Sequence, residues 1–206
     1  MEVLTLDELF EGDEDLLVKI KQYPNVCKNI IGVYRYVNIP GYIFSLGIFF
    51  LVVSREKDGA KVMQLLLEHY SKKLTYDEFI KELNLRNHNI YGTNSSYTPL
   101  TMAIGFNHID TVNVILEFCK NQYFNNNIID EIINSRTWMP YTEERGTPVE
   151  LNTPLHTAIF IENADIVKTL IFYGANKEII NHDNKTALEY AKSFSKNNNQ
   201  IIELLE

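Results

Sequence analysis

The chain has 206 residues, 45% of them hydrophobic and 22% charged, which is enough for one sizeable folded body and too apolar for disorder. A formal net charge of −8 excludes the broad basic face that a phosphate backbone requires, so no nucleic-acid partner is expected. Cys27 and Cys119, the two cysteines, stand in apolar surroundings with no Cys or His at metal-ligand spacing; they read as reduced core thiols, with no metal expected.

From the N-terminus, the first nine residues are acidic and lack the apolar run of a secretory signal. Thr5 and Glu8 have the spacing of a capping box, and an apolar helical pattern runs from Phe10 to Ile20. Residues 41–53 form the longest apolar stretch; it falls short of the roughly 20 residues that cross a bilayer, so it is expected as a buried helix and no membrane span is expected. A further helical pattern follows with Val62, Leu65, Leu66 and Leu67. A second capping box, Thr75 with Glu78, opens an amphipathic segment ending at Arg86, and residues 127–136 show the same apolar spacing. Both are expected as short helices. Each ends on Asn-x-Arg (Asn84 to Arg86, Asn134 to Arg136) and leads into a polar stretch, residues 87–96 and 137–150.

Each polar stretch gives way to a stereotyped helix start. In Thr98-Pro99-Leu100 and Thr153-Pro154-Leu155-His156, the Thr side chain caps backbone N–H groups and Pro occupies the first helical position, where its missing donor costs nothing. Leu100 and Leu155 share a helix face with Ala103 and Ala158, small residues that let a neighbouring helix approach, so these four are expected in the core. After Thr153 come Ile166, Val167, Leu170 and Ile171, then Gly174-Ala175-Asn176, with Gly174 placed to end the helix in a left-handed cap. Thr186-Ala187-Leu188 and Ala191 restart the pattern 33 residues after Thr153, whereas Thr98 lies 55 residues before it, so about 22 residues are inserted between Cys119 and Leu151.

These motifs and their period resemble the ankyrin repeat. The resemblance implies an all-α solenoid of stacked helix–turn–helix units with hairpin fingers and short inserted helices. Its expected division is one domain over 1–206: a degenerate N-terminal cap at 1–40, a diverged repeat at 41–74, a repeat with an inserted helix at 75–120, a repeat with an insertion at 121–184, and a capping repeat at 185–206. The irregular, inserted repeats and the Asn-, Ile- and Lys-rich usage are similar to ankyrin proteins of intracellular bacteria and large DNA viruses, which act on host proteins. That resemblance implies a cytoplasmic location, the host's in the case of a secreted effector.

The resemblance also implies a scaffold that binds a protein partner on its fingers and first helices, without catalysis. The second finger places Trp138, the single Trp, beside Met139 and Tyr141, flanked by Arg136 and Arg145; Trp, Tyr and Arg dominate interface energetics. These five are the expected contacts, with Tyr91, Asn94 and Tyr97 of the first finger behind them. The structural alternative has Trp138 folding back over Ile129 and Ile133. None of the five histidines pairs at metal-site or triad spacing; His108 and His156 fall at motif positions where the resemblance implies structural hydrogen bonding. No glycine-rich phosphate loop is present, so no cofactor is expected. A monomer is expected. Two other readings are a small adaptor or catalytic module in the diverged N-terminal half, and a structural subunit that self-associates.

Overall fold

The computed structural model describes residues 14–23, 52–53, 58–83, 87–88, 96–121, 127–139, 149–150, 152–194 and 199–206, and the chain divides into two compact units, Met1–Glu82 and Leu83–Glu206. Among the described residues the structure is helical, apart from four strands of two residues each.

The first unit holds α1 (Glu14–Lys21), α2 (Gly59–Lys73) and most of α3 (Tyr76–Leu83). Leu16 and Ile20 form the buried stripe of α1, which packs on α2, while Asp15 and Lys19 pair at 2.6 Å on the exposed side. Val62, Met63, Leu66 and Leu67 are the buried face of α2, and Phe79, Ile80 and Leu83 that of α3. The second capping box forms as expected: the Thr75 N–H donates to Glu78 Oε2 at 2.9 Å and the Glu78 N–H to Thr75 Oγ1 at 3.4 Å. The Thr75 N–H, and the Thr75 hydroxyl donating to the same Oε2 at 2.7 Å, hold the Glu78 carboxyl below its usual range. Of the apolar run 41–53, Val52 and Val53 are helical and buried. The rest of that run, Thr5, Glu8 and Cys27 lie outside the described residues.

The second unit stacks helices in two rows. The first row is α4 (Pro99–Gly105), α7 (Pro154–Phe160) and α9 (Ala187–Lys192); the second is α5 (Ile109–Asn121), α8 (Ala164–Phe172) and α10 (Asn199–Leu205). Thr98, Thr153 and Thr186 cap the first-row helices. Leu100, Leu155, Ala103, Ala158 and Ala191 are all buried, so the columns expected as core are core. The second row buries Val112, Ile115 and Leu116, then Ile166, Val167 and Leu170, then Ile201 and Leu205. Helix α8 ends in a Schellman motif: the Gly174 N–H donates to the Ile171 carbonyl at 3.0 Å and the Ala175 N–H to that of Leu170 at 2.9 Å, with Gly174 at φ 98°.

Both segments expected as inserted helices are helical: α3, and α6 (Asn127–Ile133), which packs on α5. Both polar stretches are hairpins at their roots, β1 (Asn87–His88) with β2 (Ser96–Tyr97) and β3 (Trp138–Met139) with β4 (Val149–Glu150). The two hairpins also pair with each other, Ser96 opposite Trp138, giving one antiparallel sheet in the order β1-β2-β3-β4.

Candidate partner-binding site

The root of the second finger is a hydrogen-bonded frame. The Thr137 N–H and hydroxyl both donate to the Asn152 carbonyl, at 2.9 and 3.0 Å, closing the hairpin just outside the strand pair. Asn181 carries the frame into the next finger: its Nδ2 donates to Asn152 Oδ1 at 3.4 Å, and its Oδ1 accepts the N–H groups of Asp183 and Lys185 at 3.0 and 3.1 Å. Asn181 thus builds the turn, with His182 and Asp183 riding on it and contacting each other at 3.2 Å. A second tie runs from the Asn176 N–H to Asn134 Oδ1, 2.9 Å, at the end of α6.

His156 locks the same frame from below. It is fully buried, with Nε2 3.1 Å from the Lys185 carbonyl and Nδ1 2.8 Å from Thr153 Oγ1. A carbonyl only accepts, so Nε2 carries the proton and Nδ1 takes the Thr153 hydroxyl hydrogen. Burial holds the imidazole below its usual pKa against the opposing pull of the Lys185 carbonyl, and the positive charges of Arg136 and His182 add to the lowering. The equivalent positions solve the capping problem differently. Thr101 and Glu189 each close a reciprocal capping box with their own Thr, Thr98 and Thr186.

Against this frame the expected contact residues fall into three groups. Arg136 is half-buried, one residue before Thr137, and its charge is felt at His156. Trp138 and Met139 form β3 and Tyr97 is in β2, so the strand pairing brings these three into one sheet. Tyr141, Arg145, Tyr91 and Asn94 lie outside the described residues, as do the side chains of Trp138, Met139 and Tyr97. Of the residues in the alternative packing, Ile133 is fully buried and Ile129 partly so.

The sequence reading passed over a set of exposed aromatics. Phe160 is 61% exposed, Phe106 40% and Phe172 70%. Phe160 closes a seven-residue helix whose interior positions are already filled by Leu155, Ala158 and Ile159, and that surplus was the signal available in the sequence. Among the described residues no group of His, Cys, Asp and Glu is placed to hold a metal ion, and no helix is long and apolar enough to cross a membrane. Residues 150–182, which run from β4 through α7 and α8 to the Asn181 turn, match the family model of the ankyrin repeat. No curated protein matches the chain.

Proposed function

As this chain is an ankyrin-repeat protein, we infer that it is a protein–protein interaction scaffold that grips one protein partner on its first two fingers, in the cytoplasm, and acts by blocking or recruiting that partner without chemistry of its own. The observation that carries the finger assignment is the β2–β3 pairing, Ser96 opposite Trp138. It brings Tyr97, Trp138 and Met139 into the backbone of one short sheet, with Arg136 two positions before Trp138, and Trp, Tyr and Arg are the residue types in which interface hot spots are richest.

The test is affinity capture from a eukaryotic cell lysate with the wild-type chain and a Trp138→Ala, Tyr141→Ala double variant, each first shown to melt at the same temperature. A protein captured by wild type and lost by the double variant supports the finger site. Equal capture by both moves the contact off the second finger, and a large drop in melting temperature in the variant makes Trp138 a packing residue instead.

A further inference from the structure

The first-row helices carry a second surface at the end away from the fingers. There Phe160 is 61% and Phe106 40% exposed. The helix–helix turns behind the two rings are tied together by a bond from Asn163 Nδ2 to Asn107 Oδ1, 2.5 Å, so Phe106 and Phe160 stand on adjacent, connected turns. Phe160 continues into Phe194, whose ring centre lies 6.4 Å away, and Phe194 packs edge-on against Tyr190 at 4.9 Å. A ridge of aromatic rings therefore stands along the ends of three successive first-row helices, Phe106 stacked on His108 at 5.7 Å and Phe160 against Phe194. Exposed aromatic surface of this kind marks an interaction site.

The rim of the ridge sets the chemistry of what covers it. The turns 105–110 and 160–165 contain Asp110, Glu162 and Asp165, all exposed, and no Lys or Arg. On the α9 side, Lys192 pairs with Glu206 at 3.0 Å and Lys196 follows Phe194 by two positions, so the acidic rim belongs to the α4 and α7 turns. An exposed apolar strip flanked by charge of one sign is the surface an amphipathic helix reads, its apolar face on the strip and its charged face on the flank. We propose that this ridge docks a basic amphipathic helix of a partner protein, its apolar face on Phe106, Phe160 and Phe194 and its Lys or Arg side chains against Asp110, Glu162 and Asp165. A second copy of this chain would bring the same carboxylates face to face, with a formal charge of −8 on each molecule, and the charge disfavours it. The surface stands apart from the fingers, so its failure leaves the finger reading untouched.

The experiment titrates the full chain into two fluorescein-labelled helical peptides about five turns long, identical on a Leu apolar face and carrying either Lys or Glu on the polar face, read by fluorescence anisotropy. The Lys peptide binds, the Glu peptide does not, and added salt weakens the complex. Phe160→Ser lowers affinity by about tenfold or more, as loss of an aromatic anchor does, and Asp165→Lys, which touches no core residue, lowers it too. Phe172→Ser is the control; that ring is 70% exposed on the second-row helix α8, and the variant binds like wild type. Four results overturn the proposal: equal binding of both peptides, no binding of either, wild-type affinity in Phe160→Ser, or a concentration-dependent dimer that Phe160→Ser abolishes, which hands the ridge to a second copy.

Discussion

Replacing His156 with Ala removes the ring that joins α7 to the third finger. Two hydrogen bonds go, at 2.8 and 3.1 Å, each contributing about 1 kcal/mol net. An edge-on contact with Tyr190 at 5.5 Å goes with them, worth roughly 0.5–1 kcal/mol, and the fully buried ring leaves a void costing on the order of another 1 kcal/mol. The expected loss is about 3–4 kcal/mol, read by urea denaturation followed by circular dichroism. The pH dependence supplies a second, independent readout. The folded pKa of His156 is lowered, so the unfolded chain binds the proton more readily. This group's stabilising effect is therefore complete above the unfolded value of about 6.5 and is lost as pH falls through the folded value. Glu78 and Glu189 are also lowered, but their contribution is complete above the carboxylate range, about pH 4.5, and fades only below it. Between pH 7.5 and 5.5, roughly the imidazole range, wild type should lose stability that His156→Ala does not. A loss under about 1 kcal/mol at neutral pH, or an undiminished acid slope in the variant, refutes the latch.

Gly174→Ala and Gly105→Ala form a matched pair, because a Cβ at either site meets nothing within 4 Å. Only Gly174 sits at positive φ, 98°, so the first change should cost about 1–2 kcal/mol and the second should be neutral or stabilising by up to roughly 0.5–1 kcal/mol; equal effects in the same denaturation assay would mean that backbone strain does not govern the Gly174 turn. Burial pushes the Cys119 thiol up to about 12, so its thiolate is scarce near pH 8, about the ordinary thiol pKa. Peptide mapping after iodoacetamide treatment should find Cys119 unmodified in the native chain and labelled in urea, and native labelling would contradict its burial.

The parts of the fold legible in the sequence are those set by chemistry within a few residues. Thr98 and Thr153 with the following Pro, the Thr75–Glu78 box and the Gly174 cap each depend on neighbours three to five positions away, and each forms as read. Finger pairing was out of reach because a two-residue strand has no alternation to detect, and its partner is fixed by how successive repeats stack: Ser96 meets Trp138 across 42 positions. The Asn181 turn shows the same limit on a smaller scale. Asn181, His182 and Asp183 all suit a turn, but only the buried Asn181, 3% exposed, had an Asn152 opposite it to make the choice. Exposure of Phe106 was equally invisible, since a ring is covered or bare according to the helix beside it; only Phe160, surplus to the filled interior of α7, left a signal.

The irregular spacing conceals a regular longer module. The non-glycine residues at positive φ before the second helices, Asp58, Asn107 and Glu162, mark one structural position three times. From Asp58 to Asn107 is 49 residues, and the same step of 49 carries Val62 to Thr111, Met63 to Val112, Leu66 to Ile115 and Leu67 to Leu116, all buried. It also carries Phe79 to Ile128 and Leu83 to Ile132, the inner faces of the two inserted helices, so the insertion belongs to the module and recurs with its packing intact. After Gly174 there is no such helix, and the chain enters the third finger directly. The consequence is visible in the sheet: the two fingers that follow an inserted helix pair with each other through their backbones, while the third is tied in by side chains, Asn181 to Asn152 and the Asn176 N–H to Asn134. A helix added after the second row displaces where the next finger begins.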